Sequence, residues 1–262
     1  MIELKPSILP RIQCKVCRSD VIDNQILFQG IHVLQDCTCS NCGIDFYQTL
    51  PIGHDMHFPI QFSKNGEKSF YDPKVKQWHV DPLINSLKFK STEGVEIKRK
   101  VIKSVKRVII LNCLDSCFGH FLYKIYNAPS IIEKYPESGL IILLPSKFEW
   151  LVPEGTAEIW SVNLSLNQCK TFIQGLDEFV KEKFKDYDEV LLSQSPYLNP
   201  YKYFRINHLI KSQSFDLAKF KEHPLTVTFV LREDRFWHNS RLFDFLYKVS
   251  IKLNLLSFFN RF

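Results

Sequence analysis

The segment Arg107-Val-Ile-Ile-Leu-Asn112 is the strongest indication of the fold class, because every residue between its two polar ends is apolar. A strand with one face in water alternates apolar and polar residues, and this stretch does not alternate. A continuous apolar run is typical of a strand that is buried on both faces of a parallel sheet. The stretch therefore predicts the first strand of an α/β domain.

Similar segments follow along the chain. They predict four more buried strands, at residues 139–144, 157–162, 189–193 and 225–231. Amphipathic patterns predict helices over residues 118–135 and 168–185. The alternation of strands and helices predicts an α/β fold with a Rossmann-like parallel sheet over residues 105–231.

Length and composition exclude several classes of protein. The chain has 262 residues, of which 45% are hydrophobic and 24% charged, which is a globular balance and not a disordered one. It contains no run of about 18 apolar residues, so no transmembrane helix is predicted. The N-terminal sequence Met1-Ile-Glu-Leu-Lys-Pro-Ser lacks the basic and apolar regions of a signal peptide. We therefore expect a cytoplasmic protein.

Basic residues are concentrated between residues 85 and 107. The segment contains Lys88, Lys90, Lys98, Arg99, Lys100, Lys103, Lys106 and Arg107 against Glu93 and Glu96, so its net charge of +6 equals that of the whole chain. It is interpreted either as a solvated linker or strand pair, or as a patch for phosphates, nucleic acid or an anionic membrane surface. The isoelectric point of about 8.8 is below the value of about 9 that is typical of nucleic-acid-binding domains. Nucleic acid is therefore a disfavoured partner, and peripheral membrane contact stays open.

Five of the eight cysteines lie near the N-terminus. Cys14-Lys-Val-Cys17 and Cys39-Ser-Asn-Cys42 are two C-x-x-C motifs, each of which can place two thiolates on one side of a tetrahedral Zn²⁺ ion. In a reducing compartment such clusters bind metal more often than they form disulfides. The sequence therefore predicts a zinc ribbon whose structural zinc is held by these four cysteines, with Gly43 in a turn that needs positive φ.

Other ligands and other uses of the thiols remain open. Cys37 could replace one of the four, and His54 and His57 are weaker substitutes. The alternative to a metal site is a set of buried, reduced thiols. The cysteines farther along the chain are interpreted as packing residues: Cys113, Cys117 and Cys169.

The loop after the first predicted strand, Leu111-Asn-Cys-Leu-Asp115-Ser-Cys-Phe-Gly119-His120, carries candidate catalytic residues. Ligands of doubly wound sheets bind at the carboxyl ends of strands, but the single glycine here disfavours a dinucleotide. Gly119 would admit a ligand close to the backbone at a helix start. Asp115 or His120 could act as a general base on an acceptor hydroxyl. The alternatives are a helix cap for Asp115 and a packed side chain for His120.

A second candidate segment, Leu231-Arg-Glu-Asp-Arg235, follows the last predicted strand. The guanidinium groups of Arg232 and Arg235 match the oxygens of a diphosphate, and the two acidic residues between them could orient the arginines. The alternative is a cluster of interdomain salt bridges.

Several longer stretches resemble a known family. They are Asn112-Cys-Leu-Asp-Ser-Cys-Phe-Gly-His-Phe-Leu-Tyr-Lys-Ile-Tyr-Asn-Ala128, Trp150-Leu-Val-Pro-Glu-Gly155, Ala157-Glu-Ile-Trp160, Thr228-Phe-Val-Leu-Arg-Glu-Asp-Arg235, and Leu50-Pro-Ile-Gly-His54 after the cysteine cluster. Together they resemble bacterial proteins of the GT-B glycosyltransferase type, over nearly the whole chain. The resemblance implies two facing Rossmann-like domains, the first binding the acceptor and the second the nucleotide-sugar.

The resemblance also implies a mechanism and a distribution of residues. No metal is required for the chemistry, because helix dipoles and basic side chains stabilise the leaving diphosphate. Asp115 and His120 would lie on the acceptor side, and Arg232 and Arg235 would approach the diphosphate. The chain would be the acceptor-binding half of a glycosyltransferase that moves a sugar from a nucleotide-sugar to a glycan or other acceptor. Only the structural zinc is expected as a cofactor.

The predicted organisation has four parts. Residues 1–55 form the zinc ribbon, and residues 56–104 a connector, β-rich or irregular, that Trp78 and Phe89 anchor. Residues 105–231 form the Rossmann-like domain. Residues 232–262 are a terminal helix or the start of a second domain, truncated here because a donor domain would need about 100–150 residues.

Two other functions compete with the glycosyltransferase. One is a zinc-ribbon binding module for nucleic acid or protein without catalytic activity, with the basic segment as its footprint. The other is a Rossmann methyltransferase, which is disfavoured because the first loop is not glycine-rich.

Overall fold

The structure, a computed structural model, describes residues 1–6, 11–21, 24–90 and 94–194. The strand predicted at residues 225–231, the candidate diphosphate ligands Arg232 and Arg235, and the segment 232–262 lie outside these residues. The described part of the chain is a mixed α/β protein with a sheet that contains parallel strands.

The strands of the first half are short. In chain order they are β1 (Ile2–Lys5), β2 (Ile12–Gln13), β3 (Asp20–Val21), β4 (Asn24–Phe28), β5 (Val33–Thr38), β6 (Asp45–Thr49), β7 (Gln61–Ser63) and β8 (Ser69–Phe70). The later strands are β9 (Ile97–Val101), β10 (Arg107–Asn112), β11 (Gly139–Pro145), β12 (Glu158–Val162) and β13 (Glu189–Leu192).

The helices are also short. They are α1 (Asp81–Lys88), α2 (Phe118–Ile125), α3 (Ala128–Lys134) and α4 (Leu176–Lys183). Two short elements matter for the site: a 3-10 helix at Gly53–Met56 and a π-helix at Lys76–Val80. Other 3-10 helices are Pro73–Val75, Ser146–Leu151, Leu166–Lys170 and Phe184–Asp186. No helix among the described residues has the length and apolarity needed to cross a membrane.

The larger sheet has the order β1-β13-β10-β11-β12-β9. Its central strands β13, β10, β11 and β12 are parallel, and the edge strands β1 and β9 are antiparallel to their neighbours. The deciding stretch is β10: Val108 and Ile110 belong to the core on one face, and Ile109 and Leu111 to the core on the other. The prediction of a parallel strand buried on both faces is therefore confirmed.

The helix predicted over residues 118–135 is two helices in the structure. Pro129 lies in the first turn of α3, where it has no N–H to donate to the carbonyl of Ile125. The chain therefore leaves the first helix at Tyr126 and starts the second at Ala128.

The helix predicted over residues 168–185 is also shorter than expected. Gly175 adopts φ +85° at the start of α4, a conformation that ends any helix approaching from the N-terminal side. Just before it, the Ile173 N–H donates a hydrogen bond at 3.0 Å to the carbonyl of Gln29, in the loop after β4. A contact between two loops far apart in the chain thus replaces the expected helical turns.

The smaller sheet is antiparallel, with the order β4-β5-β6-β7-β8. It crosses the predicted boundary at residue 55, because Phe46 of β6 pairs with Ser63 of β7. The larger sheet likewise crosses the predicted boundary at residue 104, because β9 pairs with β12. The predicted connector thus consists of strands from both sheets together with α1.

The expectation that Trp78 and Phe89 anchor this region is wrong. Their side chains are 47% and 79% exposed. The core beneath α1 is instead made by Val75, Val80 and Leu83, which pack with apolar residues of the smaller sheet. The helical turns that direct these aliphatic side chains inward leave Trp78 outside, facing solvent.

The two sheets share one core. Phe28 and Leu50 of the smaller sheet belong to the same apolar cluster as Val108 and Ile110 of β10. A polar contact supports this packing, since the Phe28 N–H donates to the Asp177 carboxylate of α4 at 2.9 Å. The smaller sheet is thereby fixed against one end of the larger one, where the candidate site lies.

Candidate functional site

The carboxyl ends of β10 and β13 border the candidate site. From β10 the parallel strands proceed outward through β11 to β12, whereas β13 lies on the opposite side of β10. Helices α2 and α3 pack on one face of the sheet and α4 on the other. Ligands of open parallel sheets bind at such a reversal of strand order. A cavity of about 20 Å³ lies there, lined by Asn112 at the end of β10 and by Ser193 directly after β13.

The smaller sheet supplies the other wall of this cavity through His32, His54, Asp55 and His79. His54 and Asp55 lie in the 3-10 helix that begins at Gly53, whose φ of +59° is easily adopted only by glycine. His79 lies in the π-helix, a rare geometry that is frequent at functional sites.

Asp55 is bonded by two histidines. His32 Nδ1 lies 2.8 Å from one carboxylate oxygen and His79 Nε2 lies 2.9 Å from the other. All three side chains are buried. Burial alone would raise the pKa of Asp55, but the charge of His32 and the hydrogen bonds of both histidines outweigh it and lower the pKa. Asp55 is therefore an ionised carboxylate inside the protein.

Asp115 forms a second buried cluster after β10. One carboxylate oxygen lies 3.0 Å from the Lys124 ammonium, and the other accepts a hydrogen bond from the Cys117 N–H at 3.0 Å. The second oxygen also faces His120 Nδ1 at 3.4 Å. Lys124 donates in addition to the Leu114 carbonyl at 2.6 Å. The structure therefore brings the predicted pair Asp115 and His120 together and adds Lys124, which the sequence did not indicate.

The contacts within this cluster lower the pKa of Asp115 and raise the pKa of His120. Burial would raise the pKa of Asp115, but the Lys124 charge and the hydrogen bonds from His120 and the Cys117 N–H hold it well below its usual range. The hydrogen bond to Asp115 raises the pKa of His120 above its ordinary value. For His54, burial followed by the charges of His120 and His79 lowers the pKa to about 4. At neutral pH, His54 is thus an uncharged ring beside a basic one.

His54 connects the two clusters to the surface. Its ring centroid lies 4.9 Å from that of His120, 5.7 Å from that of His79 and 5.0 Å from that of Trp78. The half-exposed Trp78 also lies edge-on to Phe58, with centroids 6.1 Å apart. An exposed indole and a half-buried imidazole therefore adjoin at the mouth of the site.

Asn112 fixes the two walls relative to each other. Its Nδ2 donates to the Gly30 carbonyl at 2.8 Å, and its Oδ1 accepts from the Leu114 N–H at 3.0 Å. The loop that carries His32 is thus tied to the loop that carries Asp115. Gly30, at φ +152°, sits so close to Cys169 and Ile173 that a Cβ atom would lie 3.1 Å from each.

Gly119 is the second residue of α2. A Cβ atom on it would meet nothing nearer than the Cys117 sulfur at 3.9 Å, so the space beside it is open. Its contact with a substrate remains a prediction.

The four predicted metal ligands converge at the other end of the smaller sheet. The sulfurs of Cys14, Cys17, Cys39 and Cys42 lie within 4.8 Å of one another. Cys14 Sγ is 3.7 Å from Cys42 Sγ, and Cys17 Sγ is 3.5 Å from Cys39 Sγ. A tetrahedral ion with metal–sulfur bonds of about 2.3 Å needs sulfurs about 3.8 Å apart. The cluster is suited to one metal ion.

The two C-x-x-C turns have the same backbone geometry. The Cys14 carbonyl accepts a hydrogen bond from the Arg18 N–H at 2.7 Å, and the Cys39 carbonyl accepts one from the Gly43 N–H at 2.8 Å. Arg18 and Gly43 have φ of +64° and +69°. The positive φ predicted for Gly43 is confirmed, whereas its counterpart is an arginine, in which this conformation is uncommon.

Cys37 does not belong to the metal-binding group. It lies in β5, opposite Phe46, and burial raises the pKa of its thiol to about 12. Cys113 and Cys169 are buried core residues, as predicted, whereas Cys117 is half-buried. His54 faces the other site, and His57 is exposed.

Comparison with protein-family models, curated proteins and solved structures found no match. The function must therefore be argued from the site itself.

Part of the site was not predicted from the sequence. These residues are His32, Asp55, His79, Lys124 and Asn112. Asp55 directly follows the quoted Leu50-Pro-Ile-Gly-His54 motif, which was a signal for it. His32 and His79 are 23 and 24 residues from Asp55 and have no local pattern.

The titration of His120 is directly measurable. We expect its pKa to lie above the ordinary value of about 6.5 in the folded protein. In the Asp115→Asn variant the pKa should fall to that value or below, because the accepting carboxylate is lost while burial and the Lys124 charge remain. The chemical shift of the His120 ring protons, assigned by comparison with His120→Gln, measures both values.

The raised pKa of His120 also makes the stability of the fold depend on pH. A raised pKa means that protonated His120 stabilises the fold below pH about 6.5, and that this contribution disappears as the pH rises through the raised pKa. A ring that titrates identically with and without Asp115 would contradict the assignment.

Proposed function

We propose that the described residues form the acceptor-binding part of a glycosyltransferase, with His120 as the general base. The observation that carries the proposal is the alignment of exposed Trp78, His54, and the His120–Asp115 pair at the carboxyl ends of β10 and β13. The helices on both faces and the strand order support the interpretation of the larger sheet as Rossmann-like.

His120 is the better base of the two residues predicted to be catalytic. Asp115 is buried and has a lowered pKa, which makes its carboxylate a weak proton acceptor. Its contact with His120 Nδ1 instead favours the tautomer in which Nδ1 carries the proton and Nε2 is the unprotonated, basic nitrogen. In this scheme His120 Nε2 takes the proton from an acceptor hydroxyl as its oxygen bonds to the anomeric carbon of the donor sugar. The bond from that carbon to the nucleoside diphosphate breaks, the diphosphate leaves with the electron pair, and Asp115 stabilises the imidazolium formed.

Trp78 supports a sugar acceptor in particular. Pyranose rings have an apolar face of C–H groups and a polar rim, and a flat exposed aromatic ring can cover the apolar face. Trp78 lies against His54 and His79, which hold the indole in place. The sugar hydroxyls would then point toward His54 and His120.

The remaining parts of the proposed enzyme come from the sequence. Arg232 and Arg235 are the proposed ligands of the nucleotide diphosphate. The ion in the cysteine cluster is proposed to be zinc in a zinc ribbon, because four thiolates at tetrahedral spacing suit this metal. A site with four cysteine ligands has no open position, so the zinc stabilises the fold and does not catalyse.

The salt bridges of the basic segment favour this proposal over a nucleic-acid-binding module. Arg99 donates two hydrogen bonds, from Nε and Nη2, to the two oxygens of the buried Glu158 carboxylate, at 2.8 and 2.9 Å. Arg107 pairs with Glu189, and Lys98 with Glu96 at 3.2 Å. These basic groups have partners within the protein and are less available to phosphates than their number suggests.

The test is binding of simple glycosides to the full chain. We expect octyl glucoside, galactoside, mannoside or N-acetylglucosaminide to show saturation transfer from the protein in NMR. Trp78→Ala should weaken binding at least tenfold, because the aromatic platform is lost. Trp150→Ala is the matched control, since it removes an indole that is 66% exposed from the 3-10 helix Ser146–Leu151, which contributes no residue to the cavity lining.

Catalysis is tested by release of nucleoside diphosphate from UDP-, GDP- and dTDP-sugars with the bound glycoside as acceptor. His120→Ala should lower the rate by about 10²–10⁴-fold, the usual contribution of a general base. His57→Ala, which removes an exposed imidazole near the site, should not change it. Absence of glycoside binding by the wild type, or equal binding by Trp78→Ala, would rule out the proposal.

A further inference from the structure

We infer that His32, Asp55 and His79 bind a divalent transition-metal ion at a second site, separate from the cysteine cluster. The ligand atoms of the three residues lie within 4.8 Å of one another, and all three residues are buried. This inference does not rest on the proposed glycosyl transfer, because metal content measures it directly.

The geometry is close to that of a metal centre. The two imidazole nitrogens lie 2.8 and 2.9 Å from the Asp55 oxygens. Ligands of a tetrahedral Zn²⁺ ion with bonds of about 2.0–2.1 Å lie about 3.3 Å apart, so each nitrogen–oxygen distance needs to lengthen by only about half an ångström. The two imidazole nitrogens lie within 4.8 Å of each other. The His32 and His79 rings, with centroids 5.0 Å apart, flank the carboxylate, so that all three donors can reach one ion.

The donor set selects the chemical class of the ion. Two imidazoles and one carboxylate suit Zn²⁺ and Fe²⁺ better than Mg²⁺ or Ca²⁺, which prefer oxygen ligands. The site offers one negative charge in a buried setting, which offsets part of the charge of a divalent ion. Lys124 also borders the cavity, but Asp115 balances its charge at 3.0 Å.

The cavity supplies an open coordination position. It has a volume of about 20 Å³, enough for one water molecule, and is lined by the three ligands and by polar Asn112 and Ser193. Sites with three protein ligands and one water are characteristic of catalytic metals, whereas structural sites are closed by four protein ligands. The cysteine cluster therefore has the ligand number of a structural metal site, and this site has that of a catalytic one.

The three ligands come from three separate elements of the fold, which together hold them in one place. His32 comes from the loop after β4, Asp55 from the 3-10 helix after β6, and His79 from the π-helix before α1. The π-helix turns His79 inward while Trp78 faces solvent. The GT-B resemblance implies chemistry without a metal, so a metal here would be a feature that the resemblance does not include.

The experiment is a Co²⁺ titration of the full chain after removal of its metals. We expect two equivalents to bind. One should give the intense near-ultraviolet charge-transfer bands of cobalt thiolates, and the other only the weak visible bands of nitrogen and oxygen ligands. Elemental analysis of protein purified with Zn²⁺ should correspondingly find two metal ions per chain.

Variants assign the second equivalent. Asp55→Asn and His79→Gln keep the size of each side chain, and each should lose the equivalent without thiolate bands while it keeps the other. His57→Gln is the matched control and should keep both. Circular dichroism checks that each variant is folded.

Three results would overturn the inference: saturation of the wild type at one equivalent with thiolate bands, two equivalents in a folded Asp55→Asn variant, or two in a folded His79→Gln variant. The first would mean that the triad is only a hydrogen-bonded cluster. Glycoside binding is a separate measurement, so failure of either proposal can be told from failure of the other.

Discussion

Replacement of Cys39 by alanine should remove the metal from the cysteine cluster and unfold the part of the chain around it. Cys39 is fully buried, and the core that surrounds it is small, with Cys14, Val21, Cys37 and Phe46 as its other buried members. So few apolar side chains cannot offset the entropy of ordering the loops, and the metal must supply most of the difference. We expect a loss of about 5 kcal/mol or more, comparable to the whole stability of many domains.

The measurement is zinc content together with urea denaturation of the wild type and the variant. Cys37→Ala is the matched control, because it removes a buried thiol two residues away that is outside the metal-binding group. It should keep the metal and lose much less stability. Full metal content in Cys39→Ala would show that Cys39 is not a ligand, and an unchanged denaturation midpoint would show that no metal at this cluster stabilises the fold.

The second large effect concerns the buried pair of Asp115 and Lys124. Their side chains are only 5% and 4% exposed. Asp115→Ala would leave the Lys124 ammonium buried, with the Leu114 carbonyl as its remaining hydrogen-bond acceptor from this cluster. Breaking a buried ion pair from one side typically costs about 3–5 kcal/mol, and we expect a loss of that size in the free energy of unfolding.

The control is the double variant Asp115→Asn with Lys124→Met. This double variant removes both charges and keeps the side-chain volumes. It should therefore be several kcal/mol more stable than Asp115→Ala, in which Lys124 has lost its carboxylate partner. Urea denaturation of the single and double variants measures the coupling. A single variant within about 1 kcal/mol of the wild type would mean that water reaches Lys124 and that the cluster is open.

The buried pair of Asp115 and Lys124 also predicts how acid lowers the stability of the fold. The pKa of Asp115 is lowered in the folded protein, so its contribution to stability is complete above the unfolded value of about 3.9. This contribution is lost as the pH falls through the lowered pKa. Its loss should be absent from the double variant.

The sheet and the cysteine cluster were the most predictable features. β10 was found at its predicted bounds because burial on both faces of a sheet requires an unbroken apolar run. The thiols within each C-x-x-C motif are neighbours in one turn, so spacing alone brings them together. The apolar run of β10 and the spacing of the cysteines are both properties of one short segment, so the sequence shows them directly.

Helix limits were less predictable because single residues changed them. Pro129 divides one amphipathic pattern, and Gly175 starts α4 well after the predicted position. The first is a covalent property visible in the sequence. The second coincides with the hydrogen bond between Ile173 and Gln29, two loop residues far apart in the chain, which no local pattern encodes.

The sequence alone was enough to predict the parallel sheet, the cluster of four cysteines and the loop that holds Asp115 and His120. The tertiary structure was needed to show that His32, Asp55 and His79 share one buried site, and that His54 contacts both Trp78 and His120. The physical reason is that a side-chain pattern reports the environment of its own helix or strand. The polar site forms instead where the antiparallel sheet packs over the carboxyl ends of β10 and β13, between residues far apart in the chain.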